Sequence, residues 1–205
     1  MDGIIFDVDG TLWDATDTIA KAWNQTIAEN STLKMQVSGS DLRAVFGKTM
    51  DEITEIFFPS LPYEERTRLG YLCFDSENQL LEKEPAPLYP GVEETFQKLS
   101  KKTDLFIVSN CQKGYIEILL QTTGLSRYVK DHLCFGDTQV PKHETIRLLM
   151  KKNQLNDVIY VGDTQGDFHA CKLAGVPFIF AEYGFGAVPD APRKITDITQ
   201  LIDLI

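Results

Sequence analysis

Residues 3–11 read Gly3-Ile4-Ile5-Phe6-Asp7-Val8-Asp9-Gly10-Thr11, an apolar run that turns acidic within a few positions. Its branched and aromatic side chains favour a strand over residues 3–8, and Gly10 marks where that strand turns. Side chains alternate along a strand with period two, so Asp7 and Asp9 point to one side. Two carboxylates that close repel each other unless a cation or a proton separates them. The pair therefore suits a hard metal ion, or an acid beside a nucleophile. An Asp-Gly turn that ends a strand in solvent is the rival reading of the same residues.

Working outward, four further apolar runs follow at 105–109, 133–135, 158–161 and 178–181. Between them, residues 92–101, 115–123, 144–152 and 167–174 carry apolar side chains at three- and four-residue spacing with charged faces between, as amphipathic helices do. Such alternation predicts an α/β fold, a doubly wound, Rossmann-like parallel sheet whose ligands bind at the carboxyl ends of its strands. Residues 15–84 break the pattern. They contain helical spacings such as Ile19, Ala20, Trp23 and Ile27 and no strand, which predicts an inserted α-helical domain. The return segment Glu84-Pro85-Ala86-Pro87-Leu88-Tyr89-Pro90-Gly91 places three prolines in six residues and reads as a stiff linker. The core is thus expected at 1–14 and 85–205, with a last helix over 197–205.

Composition narrows the partners. Thirty Asp and Glu face 20 Lys and Arg, a net charge of -10, whereas a nucleic-acid surface needs clustered basic residues. An anionic substrate must then be attracted locally. No apolar run approaches the roughly 20 residues of a membrane-spanning helix. Residues 1–10 show neither a basic segment nor a signal cleavage site, so the expectation is a cytoplasmic protein with no membrane partner. Cys73, Cys111, Cys134 and Cys171 lack metal-like spacing, which predicts reduced thiols. Monomer and homodimer both fit the sequence.

A second acidic cluster, Gly162-Asp163-Thr164-Gln165-Gly166-Asp167, follows the run at 158–161 and belongs to the same sheet edge. Asp163 is placed to bind Mg²⁺, which takes a few carboxylates alongside water and phosphate oxygens. Asp167, one helical turn on, binds the metal through water or caps its helix; capping fits both residues. Ser109-Asn110 ends the strand at 105–108, and Lys142 precedes a helix. A hydroxyl, backbone N–H groups and an ammonium are ready partners for phosphate oxygens, although an ordinary turn and a solvated lysine account for the same residues. In the helical segment, Phe46-Gly47-Lys48-Thr49 forms a break from which Lys48 could reach a substrate's distal anion, with a solvated surface lysine as the rival reading. His132, His143 and His169 show no ligand-like arrangement, and Trp13 and Trp23 fit packing of the insert or its hinge.

The ordered set Asp7-x-Asp9-Gly10-Thr11, Ser109-Asn110, Lys142 and Gly162-Asp163-Thr164-x-x-Asp167 resembles the four motifs of the haloacid dehalogenase superfamily. The helical insert resembles that superfamily's cap domain, and Leu88-Tyr89-Pro90-Gly91-Val92 its re-entry into the core. The resemblance implies a magnesium-dependent phosphatase of a small phosphomonoester, whether phosphoglycolate-like, a sugar phosphate or a nucleotide. In it Asp7 is the nucleophile that forms an aspartyl-phosphate, and Asp9 the acid and base. Asp7, the backbone carbonyl of Asp9 and Asp163 hold Mg²⁺, with Asp167 nearby. Ser109 and Lys142 hold the transferring oxygens, and Gly10, Thr11 and Asn110 support the phosphate pocket. One departure concerns the third motif, where His143 stands in place of the usual proline after the lysine, leaving Lys130 and Lys113 as rivals to Lys142. A phosphomutase of the β-phosphoglucomutase type is the alternative, though the insert has no histidine; a catalytically retired binding protein is another. A dehalogenase proper would lack Asp9.

Overall fold

Strand β1 (Gly3–Phe6) is buried from end to end, which is why its sequence is continuously apolar rather than alternating. Ile4 and Phe6 enter one core cluster and Ile5 the other, on the opposite face of the sheet. Phe6 packs on Phe96 at 4.7 Å between ring centroids. Each such side chain contributes roughly 1.5–3 kcal/mol by leaving water, so β1 is anchored firmly beneath the residues that follow it. The computed structural model describes residues 1–205.

Around β1 stand β2 (Asp104–Ser109), β3 (Val129–Cys134), β4 (Val158–Gly162), β5 (Phe178–Ala181) and β6 (Lys194–Ile195) in the order β3-β2-β1-β4-β5-β6. All five pairings are parallel. The order reverses at β1, whose last residue Phe6 pairs with Ile107 of β2 and Val161 of β4, one or two residues before those strands end, so the three carboxyl ends form one rim. Ligands of doubly wound sheets bind at that reversal.

Ten helices accompany the sheet. Four fill the segment between β1 and β2: α1 (Thr16–Asn30), α2 (Gly39–Arg43), α3 (Met50–Phe57) and α4 (Tyr63–Lys83). Trp23 on α1 joins them, stacking on Phe58 and meeting Phe57 and Phe74 edge-on. Capping boxes at Ser38 and Thr49 fix the starts of α2 and α3. The others are α5 (Val92–Leu99), α6 (Tyr115–Thr123), α7 (Phe135–Thr138), α8 (Lys142–Asn153), α9 (Gln165–Ala174) and α10 (Leu201–Leu204). No helix is long and apolar enough to cross a membrane.

The chain crosses between core and insert twice, and the crossings touch. Trp13 bridges to Leu88, and Tyr89 N–H donates to the Leu12 carbonyl at 2.9 Å. Three details differ from the sequence reading. The run expected as a strand at 133–135 is the end of β3, and Phe135 already starts α7; β3 is an edge strand and only partly buried, so its apolar signal is weak. β6 is two residues long and gave no periodicity. Finally, the last helix is a 3₁₀ turn over Ile198–Gln200 followed by the short α10.

Candidate active site

Asp7 continues the β1 ladder by donating its N–H to the Val161 carbonyl at 2.9 Å. The chain then turns sharply, with Thr11, Leu12 and Trp13 N–H groups all directed to the Val8 carbonyl. Gly10 makes the turn feasible. It has φ +78°, and a Cβ there would lie 2.1 Å from Asp163 Oδ2. The acid from β4 and the turn after β1 are therefore pressed together, and no side chain fits between them.

Asp7, Asp163 and Asp167 each offer an oxygen within 4.8 Å of the others, and all three are buried. Lys142, the first residue of α8, lies among them and donates to Asp7 Oδ1 at 2.9 Å and Asp167 Oδ1 at 2.5 Å. Burial opposes the charge on Lys142, but Asp167 and Asp7 outweigh it and hold its pKa above the usual lysine value. The ammonium therefore stays protonated. Lys142 is the lysine that reaches Asp7, whereas Lys130 pairs with Asp104 and Lys113 is exposed.

One cation does not balance three carboxylates. Burial pushes Asp7 up to about 6, with Asp167 adding repulsion and Lys142 opposing it. Asp163 is raised well above the carboxylate range by burial, then by Asp167 and Asp7. Hard oxygen donors crowded at this spacing, carrying excess negative charge, fit a small divalent cation. Asp163 accepts from Phe185 N–H at 2.7 Å and from Thr11 Oγ1 at 3.4 Å. Asp167 is more fully used. Its Oδ2 closes a capping box with Thr164 at the start of α9, while its Oδ1 takes Lys142 and, at 3.4 Å, the Tyr160 hydroxyl.

The carboxylate of Asp9 stands outside this group. It is held by Trp13 Nε1 at 3.0 Å and Tyr115 Oη–H at 2.6 Å, both on Oδ1. Burial pushes Asp9 up to about 7, against the pull of those donors, so it exchanges a proton near neutrality. Asp9 and Asp7 line the same small cavity, with Ser109 and Asn110 from the end of β2.

The roof of that cavity comes from the insert: Phe46, Gly47, Lys48, Met50, Phe74 and Glu77. Lys48 is an exposed residue at its margin. Asn110 donates through Nδ2 to the Gly47 carbonyl at 2.8 Å, leaving Oδ1 buried with no partner. Its amide donor is thus committed to the insert. Glu77, 4% exposed, accepts from Trp23 Nε1 at 2.5 Å and from Gln112 Nε2 at 2.6 Å. Burial pushes it up to about 8, against these donors. Trp13, Tyr115, Glu77, Gln112 and Phe185 escaped the sequence reading as site residues. Phe185 contributes a backbone N–H, which no residue type announces; the glycines flanking it, Gly184 and Gly186, pack against Asp163 so closely that a Cβ would meet it at 2.3–2.5 Å.

The model of the haloacid dehalogenase-like hydrolase family matches residues 4–181. The chain belongs to that family. Among curated relatives, the phosphoglycolate phosphatase of Vibrio vulnificus is 28% identical, with 98% of this chain and 95% of the relative covered. That of Salmonella typhimurium is 26% identical over 89% of this chain and 82% of its own. Both names denote phosphoric monoester hydrolases. In structure the chain resembles a predicted phosphoglycolate phosphatase from Haemophilus somnus, with TM-score 0.87, 20% identity, and 100% and 97% of the two chains covered. It also resembles CbbY from Rhodobacter sphaeroides in complex with xylulose-(1,5)bisphosphate, at TM-score 0.82 and 16% identity over 98% and 96% of the chains. These likenesses agree with the doubly wound parallel sheet.

Proposed function

We propose that this family member is a magnesium-dependent phosphatase of small phosphomonoesters, working through an aspartyl-phosphate on Asp7. The observation that carries the reading is the buried group of Asp7, Asp163 and Asp167 around Lys142 at the sheet rim. Asp7, the backbone carbonyl of Asp9 and Asp163 would hold Mg²⁺, which when bound neutralises the repulsion between carboxylate and phosphate. Asp167 has its oxygens committed to Thr164 and Lys142, so it would reach a cation only through water.

Asp7 attacks phosphorus, forming a bond from its carboxylate oxygen as the ester oxygen departs. Asp9, with a pKa near neutrality, gives its proton to that leaving oxygen. It then takes one from the water that attacks the aspartyl-phosphate, which restores both groups and releases phosphate. Lys142 and Ser109 stabilise charge on the transferring oxygens, the larger part of the task in phosphoryl transfer. Gly10 and Thr11 shape the pocket floor, and Asn110 ties that floor to the insert. Residues 15–84 would act as a cap domain over a core of 1–14 and 85–205, closing out water. Lys48 at the margin would draw in the substrate's anion. The full complement of acids favours this over a retired binding protein.

The test is hydrolysis of an aryl phosphate by wild type and Asp7→Asn, with Mg²⁺ and with EDTA. Turnover that needs Mg²⁺ and disappears in Asp7→Asn, with an unchanged circular dichroism spectrum, is expected. Retained turnover in Asp7→Asn would remove Asp7 from the chemistry.

A further inference from the structure

The cavity above Asp7 measures only about 40 Å³, room for a few waters and little beyond a phosphoryl group. Because the leaving group departs on the side opposite the nucleophile, it must lie toward the insert. Beside the cavity is a larger cleft of about 350 Å³ between α3 and α4 of the insert and the segment around α7 of the core. The two are neighbours, sharing Met50, Phe74 and Gln112 in their linings. A volume of that size is at the lower end of small-molecule sites, roughly 300–1,000 Å³.

The chemistry of the cleft is selective. Tyr63 and Tyr71 are 71% and 64% exposed, the highest values among the large hydrophobic side chains of the chain, and both line it. Phe74, buried against Trp23, and the half-buried Phe135 complete the wall. The two exposed rings, Tyr63 and Tyr71, offer faces for stacking rather than a core contact. Charge points the same way, since the lining carboxylates Asp51 and Asp75 face a single lining cation, Lys113. An anionic leaving group is repelled there, whereas a flat neutral group bearing N–H and O–H donors is accepted. Gln112, which spends Nε2 on Glu77 and Asn78, keeps its carbonyl oxygen for such a donor.

We infer that this cleft is the leaving-group site and that it takes a nucleoside, making nucleoside 5′-monophosphates the preferred substrate class. The inference rests on the phosphatase reading above and adds the identity of the alcohol released. Stacking on aromatic side chains tolerates every base, so discrimination falls between nucleotides and small esters more than among bases.

The experiment measures kcat/KM with Mg²⁺ for adenosine and uridine 5′-monophosphate, glycerol phosphate and phosphoglycolate, in wild type and in Tyr63→Ala/Tyr71→Ala. Both tyrosines are exposed, so the variant should melt with wild type. Wild type is expected to favour the nucleotides at least tenfold over glycerol phosphate. In the variant that ratio should fall about tenfold, mainly through KM for the nucleotide. Preference of wild type for phosphoglycolate or glycerol phosphate would overturn the inference and leave the phosphatase reading standing, as would an unchanged ratio in the variant. Failure to release phosphate from any ester would remove both.

Discussion

Replacing Lys142 with Met keeps most of the side-chain length and removes the charge. Lys142 and Asp7 are 4% and 3% exposed in their side chains, and Asp167 is fully buried, so solvent cannot take over the role of the ammonium. Breaking a buried pair by removing one partner costs roughly 3–5 kcal/mol, because the remaining charges stay buried. Here two carboxylates lose the same partner while Asp163 still repels them. For a chain of this size, that cost corresponds to a fall in Tm of about 6–20 °C. A second consequence separates this account from loss of packing. The vacated charge is partly restored by a divalent cation at the same carboxylates, so Mg²⁺ should raise Tm more in Lys142→Met than in wild type. Phosphate release should fall at least about a hundredfold, the scale for losing one positioned donor to a transition-state oxyanion. Differential scanning fluorimetry in EDTA and in Mg²⁺ reads the first two effects and a phosphate-release assay the third. A variant within about 1 kcal/mol of wild type in EDTA, or one that Mg²⁺ stabilises no more than wild type, would show that Lys142 is not the counter-charge the geometry makes it.

Gly47→Ala places a side chain at φ +90°, with its Cβ 3.1 Å from Thr164; left-handed strain of about 1–2 kcal/mol relieved by lifting the insert should raise KM about 5- to 30-fold, and unaltered steady-state kinetics would count against the insert closing there. Stability should depend on pH through Glu77, whose pKa is raised from 4.5 to about 8 by burial. Above pH 4.5 the unfolded chain has lost this proton and the folded chain retains it, so folding stability falls as pH rises toward 8 and levels off beyond. Glu77→Gln should remove up to about 1.4 kcal/mol per pH unit from that slope, as followed by urea denaturation between pH 5 and 8. An identical slope in the variant would show that Glu77 does not titrate there.

The sheet was legible where burial was strongest. β1 and β4 are buried on both faces, so each wrote an uninterrupted apolar run ending in acids, and the rim could be inferred from those endings. β3 and β6, at the edges, bury too little to leave such a signature. Asp7, Asp9, Asp163 and Asp167 were visible because strand and helix periodicity places them locally. Lys142 was harder to single out, since its two partners lie 135 and 25 residues away and nothing beside it sets it apart from Lys130. Glu77, Gln112 and Tyr115 were invisible for the same reason in stronger form. Their hydrogen bonds join the insert or α6 to partners 35 to 106 residues distant, and only the docking of the helices creates their burial.

That docking explains how the proposed acid–base group, Asp9, is held. Asp9 is two residues past Asp7 and four before Trp13, the residue at which the chain leaves the core and meets Leu88 on its way back. Trp13 is wholly buried, packs edge-on against Tyr115 at 5.5 Å, and shares with it the task of holding Asp9 Oδ1. One donor thus belongs to the hinge and the other to the core helix after β2. A helical segment inserted elsewhere in the chain could cover the rim equally well, but its connection to the core would not touch Asp9, the group proposed to gain and lose a proton. Placed directly after β1, the insert has a hinge that sets Asp9 between two fixed donors while its far side, through Gly47 and Glu77, grips the core at Asn110 and Gln112. In the proposed mechanism, the position of the insertion would therefore tie the protonation of Asp9 and the closing of the site to the same few side chains.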